Sequence, residues 1–211
     1  DRAFITVDSQ SRRGRQRFSA GHELGHWMLD RGRVASFMCQ EQVFASEWGS
    51  DNPERRANRY ATELLLPDFM FTPRAKDQRI IFETVRQLAT AFQTSLTATA
   101  IRLVELGSFP SIIVCHTAQH RRWFIRNSDV PDAIRLRDKP GAWTVANDLL
   151  RGGTSSEGPT DVQADGWITH PDSRNYTLCE DSIRLGDHWI LSLLWWKNEK
   201  QLLDLEEDHD F

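Results

Sequence analysis

Apolar residues recur at helical spacing along the first half of the chain and at strand spacing along the second, the change falling near Pro110. Leu24, Trp27, Met28 and Leu29 supply the apolar face of a first helix, and Ser19 stands ready to cap it just ahead of Ala20, Gly21 and His22. A second helix has clear ends: Asp51 or Asn52 as cap, Pro53 in the first turn, and Pro67 beyond Leu64, Leu65 and Leu66. The helical pattern then continues to Leu106. Residues 111–115, 122–126, 166–170, 176–180 and 188–195 read as strands, with one helix near 144–150. A further short strand is predicted over residues 3–7, and the Gly- and Ser-rich stretch 151–160 reads as a mobile loop. The predicted fold class is α+β. A helical core with a short edge sheet spans residues 1–72, a helical segment 73–109, and a smaller α+β domain 110–211.

Composition narrows the class without naming a function. At 211 residues and 39% hydrophobic content the chain can bury a sizeable core. With 26 basic against 30 acidic residues the net charge is −4, which gives no overall attraction to nucleic acid or an anionic membrane. Cys39, Cys115 and Cys179 are far apart, with no paired spacing. This usage fits a reducing cytosol, and each cysteine is most simply a small buried apolar residue. No apolar run approaches a membrane span and the start is no signal peptide, so a cytoplasmic protein is expected. The chain opens without Met, so a fragment or a processed leader stays open.

The first helix carries the chemistry. His22-Glu23-Leu24-Gly25-His26 is an HExxH pattern, with two imidazoles one turn apart on one face and a carboxylate about a quarter turn away. Both histidines can reach one metal ion, and Glu23 can take a proton from a water beside it. Gly25 needs its own reason, because a mid-helix glycine costs about 1 kcal/mol against alanine; a close neighbour or a substrate would supply one. A metal with an open position needs a third protein ligand. The extended HExxHxxGxxH pattern fails, since Leu29 and Gly32 stand where its glycine and third histidine would be.

The second helix offers that ligand. Glu54 lies in its first turn, on a stripe with Ala57, Asn58, Ala61, Leu64 and Leu65. The two alanines permit close approach to the first helix, and the Asn58 amide oxygen can accept from a histidine ring N–H and fix its tautomer. Glu63 competes for the role but lies off the stripe, and a carboxylate at a helix N-terminus is also what the helix dipole favours on its own.

HELGH preceded by Arg17-Phe18-Ser19, together with Glu54 in an ExxANxxAxxLLLP helix, resembles the ImmA/IrrE family of bacterial metallopeptidases over roughly residues 4–70. The resemblance implies a zincin-like core of gluzincin type, with His22, His26 and Glu54 as metal ligands and Glu23 as catalytic base. It implies a zinc-dependent endopeptidase, and a partner protein substrate of the XRE helix-turn-helix repressor type whose cleavage derepresses stress-response or mobile-element genes. It further implies an edge strand beside the cleft, formed by residues 3–7, on which an extended peptide can pair. Tyr60 stands where many relatives carry Phe; its reading is a core aromatic with a wet tip, or an oxyanion donor. A His-His-Glu set also accepts manganese or other divalent ions.

Rival readings come from other segments. Val85, Leu88, Ala89, Phe92, Ser95, Ala98, Ile101, Arg102 and Leu103 follow a helix-turn-helix pattern, which makes a DNA-binding regulator with a structural metal the alternative function. Its second helix carries Arg102 as its only basic residue, with Thr97 and Thr99 as the other polar groups. A closed structural site would need a fourth ligand, for which Cys39 is the nearest soft candidate. Arg12, Arg13, Arg15 and Arg17 form a predicted basic loop. His116, His120, His170 and His188 lack paired spacing, and Trp189, Trp195 and Trp196 read as core or interface.

Overall fold

The computed structural model describes residues 4–30, 52–154, 158–186 and 188–207. Helix α1 spans Arg13–Asp30 and α2 spans Pro53–Leu65. The first of these begins earlier than Ser19 suggested. Asp8 closes a turn ahead of it, its carboxylate accepting from the Gln10 N–H at 2.9 Å and the Ser11 hydroxyl at 2.7 Å. Ser19 is therefore interior to the helix, and Arg13, Arg15 and Arg17 belong to its first turns instead of a loop. Residues 4–7 form no strand, and Phe4 is 92% exposed. Among the described residues all five strands lie beyond residue 110, so none of them belongs to the short edge sheet expected at residues 3–7.

Helices α3 (Asp68–Ala75), α4 (Phe82–Phe92) and α5 (Leu96–Leu106) follow. Gln93 ends α4 in the left-handed region at φ 54°, and the Ser95 hydroxyl caps α5 by accepting from the Ala98 N–H at 3.2 Å. Arg17 reaches across from α1 and donates to the last α4 carbonyls, Phe92 O at 2.8 Å and Gln93 O at 2.9 Å. Arg102 does not face solvent. It is buried, donating to Leu66 O at 3.1 Å and paired with Glu63, Asp68 and Glu105. Thr99 is fully buried and bonded to Thr94. The basic side chain and one of the two threonines that a DNA-reading α5 would use are thus committed to the interior.

The rest of the chain builds a five-stranded antiparallel sheet, ordered β2-β1-β5-β4-β3: β1 Ser111–His116, β2 Arg121–Arg126, β3 Thr160–Gln163, β4 Thr177–Leu185 and β5 Trp189–Trp195. Strand alternation splits its side chains between two cores. Ile113, Cys115, Leu191, Leu193 and Trp195 meet α3, α4 and α5, while Ile112, Val114, Ile190 and Leu194 meet helices α6 (Val145–Leu150) and α7 (Lys200–Glu207). Because both faces are covered, all six residues of β1 are buried. Residues 166–170 are not a strand: a 3-10 turn over Ala164–Gly166 leads to Trp167, whose indole N–H donates to the buried Glu180 carboxylate at 3.0 Å, and only Ile168 makes a bridge, to Leu136. Strand β3 and helix α7 have no counterpart in the periodicity reading, each being short and mixed in pattern. Among the described residues no helix is long and apolar enough to cross a membrane.

Among the described residues, the second core holds a buried histidine whose ring nitrogens lack a well-formed hydrogen bond. His116 is 1% exposed, packs 5.6 Å from the Trp167 ring, and has neither ring nitrogen bonded. Burial, helped by the nearby Arg121 charge, pushes its pKa down to about 4, with Asp138 opposing and His120 adding slightly. The unfolded chain takes up this proton near the ordinary 6.5 and the folded chain does not. Stability is therefore fully present above about 6.5 and falls as pH drops towards 4, by about 3 kcal/mol at most. Urea unfolding at pH 7 and 4.5 is expected to show this loss, and His116→Leu to remove most of it; an unchanged pH slope in the variant would assign acid sensitivity elsewhere.

Candidate metal centre

Helices α1 and α2 cross unusually closely, and small residues on both sides are the cause. Ala57 and Ala61 are fully buried. A Cβ on Gly25 would lie 3.0 Å from Ala57 Cα, 3.1 Å from its carbonyl oxygen and 3.1 Å from Tyr60 Cβ. One on Gly21 would meet Ala61 Cβ at 3.3 Å. The mid-helix Gly25 is thus explained by a neighbouring backbone. Gly25→Ala is expected to destabilise by up to about 2 kcal/mol, since overpacking of about 1–3 kcal/mol outweighs the helix-propensity gain of about 1 kcal/mol. Gly21→Ala, facing a softer contact, should be near neutral. Denaturant midpoints of the two variants check this, and a stabilised Gly25→Ala would contradict the close crossing.

The crossing brings the predicted ligands together. Asn52 caps α2 by accepting from the Glu54 N–H at 2.9 Å, which fixes Glu54 in the first turn. Glu54 Oε2 lies 3.1 Å from His22 Nε2, Glu54 Oε1 lies 3.3 Å from His26 Nε2, and the two Nε2 atoms are 3.1 Å apart. His22 and His26 are buried and their rings meet edge to face, while the Glu54 side chain keeps 28% exposure. Among the described residues, this is the one group of His, Cys, Asp and Glu placed to share a metal ion.

The outer ring nitrogens show which atoms are available to a cation. His22 Nδ1 is 2.9 Å from Asn58 Oδ1, and His26 Nδ1 faces Asp30 Oδ2 at 3.5 Å, an ion-pair contact too long for a hydrogen bond. Facing oxygens in both cases, the Nδ1 atoms carry the protons, and both Nε2 lone pairs then point at each other and at a carboxylate. Protons on both Nε2 atoms instead would oppose two N–H groups across 3.1 Å. Three donors about 2.0–2.1 Å from a tetrahedral zinc would be roughly 3.3 Å apart, close to the separations seen. The donor set fits a divalent ion.

Asp30 and its partner were not foreseen, although a stripe at 22, 26 and 30 is visible in the sequence. Asp30 is fully buried, and its second oxygen is paired with the Arg56 guanidinium. Burial works against its charge, but Arg56, with a smaller contribution from His26, outweighs that and holds the carboxyl below the usual carboxylate range. Glu23 is half-buried on the α1 turn between the two histidines. Glu63, the competitor for third ligand, is instead 3.0 Å from Arg102. Tyr60 is half-buried against Gly25, and Cys39 lies outside the described residues. His116 is buried, His188 is exposed, and the His170 ring accepts from the Asp172 N–H at 3.2 Å, so these do not form a second site with His120. Cys115 and Cys179 are free and buried, and burial pushes the Cys115 thiol up to about 12. Trp195 and Trp196 are core, and Trp189 is partly exposed beneath the Arg122 guanidinium.

Two histidines and a glutamate converging from two crossed helices form a group that could hold a metal ion, with the donor types that metallopeptidases use. Residues 1–104 match the model of the IrrE N-terminal-like domain, Peptidase_M78, which places a domain of that peptidase family in the first half of the chain. No curated protein matches the chain.

Proposed function

We propose that this protein is a zinc-dependent endopeptidase of HExxH, gluzincin type that cuts a partner protein, an XRE-type helix-turn-helix repressor, and so releases stress-response or mobile-element genes from repression. The observation that carries the peptidase reading is the convergence of His22, His26 and Glu54, within a chain whose first 104 residues belong to a peptidase family. The repressor as substrate rests on the resemblance of the HELGH and ExxANxxAxxLLLP segments to ImmA/IrrE proteins. A cytoplasmic location follows from that substrate and from cysteines that are free where described.

His22, His26 and Glu54 would hold the ion. When bound, zinc, or manganese in its place, supplies Lewis acidity that makes a water nucleophilic near neutral pH and polarises the scissile carbonyl. Glu23 takes the proton of the attacking water and delivers it to the departing amine, so one carboxylate serves first as base and then as acid. Asn58 holds the His22 ring in the tautomer that leaves Nε2 free of a proton.

The test is incubation of the purified protein, with zinc or manganese and with a chelator as control, against the XRE-type repressor encoded beside its gene, read by intact mass spectrometry. A metal-dependent cut, absent with chelator, is expected. No cut of that repressor while a different protein is cleaved would overturn the substrate; no metal uptake at all would overturn the peptidase reading.

A further inference from the structure

An ion pair with a buried carboxylate and a half-buried guanidinium joins the two ligand-bearing helices. Asp30 is the last residue of α1, one turn beyond His26, and Arg56 lies on α2 two residues after Glu54. The Asp30 carboxylate is fully buried between them, with Oδ2 3.5 Å from His26 Nδ1 and Oδ1 on the Arg56 guanidinium. A buried carboxylate needs a charged partner, and this one has a cation on Oδ1, while Oδ2 faces the ligand imidazole of His26 across 3.5 Å, too long for a hydrogen bond. His22 has a different arrangement, its Nδ1 facing the neutral amide of Asn58 on α2. Each ligand histidine is thus oriented by a group on its outer nitrogen, and only His26 is oriented by an ion pair spanning the helix crossing.

We propose that Asp30 and Arg56 are positioning residues of the metal centre. Asp30 holds the His26 ring with Nε2 turned to the ion and raises its basicity, and Arg56 acts through Asp30, tying that ring to the helix that places Glu54. This rests on the metallopeptidase reading above. Neither residue touches the substrate or the ion; both act on where the ligand atoms stand.

The readout is zinc affinity by competition with a chromophoric chelator, together with the visible spectrum of the cobalt-substituted protein, which reports ligand geometry without turnover. Asp30→Asn is expected to bind zinc about 10–100-fold more weakly, with a shifted cobalt spectrum. Arg56→Lys keeps a cation beside Asp30 and guards against loss of fold; it should lose several-fold. Because Arg56 acts through Asp30, Arg56→Gln should weaken binding alone but add little on the Asp30→Asn background. Circular dichroism on each variant confirms that the folded protein is being titrated. Unchanged affinity and spectrum in folded Asp30→Asn, or additive effects of the two substitutions, would overturn the positioning role while leaving the peptidase reading intact. A wild-type protein that binds neither zinc nor cobalt would overturn both.

Discussion

Glu23→Gln is expected to keep the metal and lose cleavage, by at least about 10²–10⁴-fold, the range that a positioned general base contributes. Glu23 is on the helix turn between His22 and His26 and is not among the three groups that converge on the candidate ion position. Glutamine preserves its length and leaves the α1–α2 crossing untouched, so the fold and ligand set should persist. It cannot accept the proton of the attacking water, and the step that generates the nucleophile loses its base. Zinc content and the cobalt spectrum should match wild type while the intact-mass assay shows uncut substrate. A variant that still cuts at the wild-type rate would remove Glu23 from the mechanism.

Glu54→Ala is expected to act on the metal itself. Full ligand sets bind structural zinc with about 10–16 kcal/mol, so one of four contacts accounts for roughly 3 kcal/mol, about two decades of affinity. The substitution leaves His22 and His26 with Nε2 atoms 3.1 Å apart and no carboxylate facing those two atoms from α2. Alanine is a good helix former, and Asn52 continues to accept the N–H of the residue at this position, so helix α2 should form as before. Competition titration should show zinc binding weakened about 100-fold or more, and activity should be partly restored by excess metal. Activity lost with zinc affinity unchanged would mean that Glu54 serves the chemistry and not the ion. The two substitutions thus separate the proton carrier from the metal holder within one assay.

The sequence by itself determined which side chains form the candidate ligand set and the small-residue stripe that lets it assemble. HExxH spacing puts His22 and His26 on one face of any helix they form, and Asn52, Pro53 and Pro67 bound α2 by local rules of capping and ring geometry. Ala57 and Ala61 were readable as a close-packing face, and Asn58 as the group that orients a histidine, because each is a one-turn relation along one helix.

What lay across elements was decided only in three dimensions. The start of α1 at Arg13 depends on Asp8 closing the preceding turn, and Arg17 is set by the C-terminal carbonyls of α4, far along the chain. Arg102 reads as an exposed basic residue at a helix-turn-helix position, yet carboxylates from two other segments, together with Glu105 of its own helix, draw it inside. Residues 4–7 have strand composition but no neighbour to pair with among the described residues, and a strand needs a partner to exist. The Asp30–Arg56 pair was beyond periodicity for the same reason. Local patterning specifies which side chains share a face, whereas burial of a charge is settled by what the opposing element brings to meet it, and for Asp30 that is Arg56 on the helix that also carries Glu54.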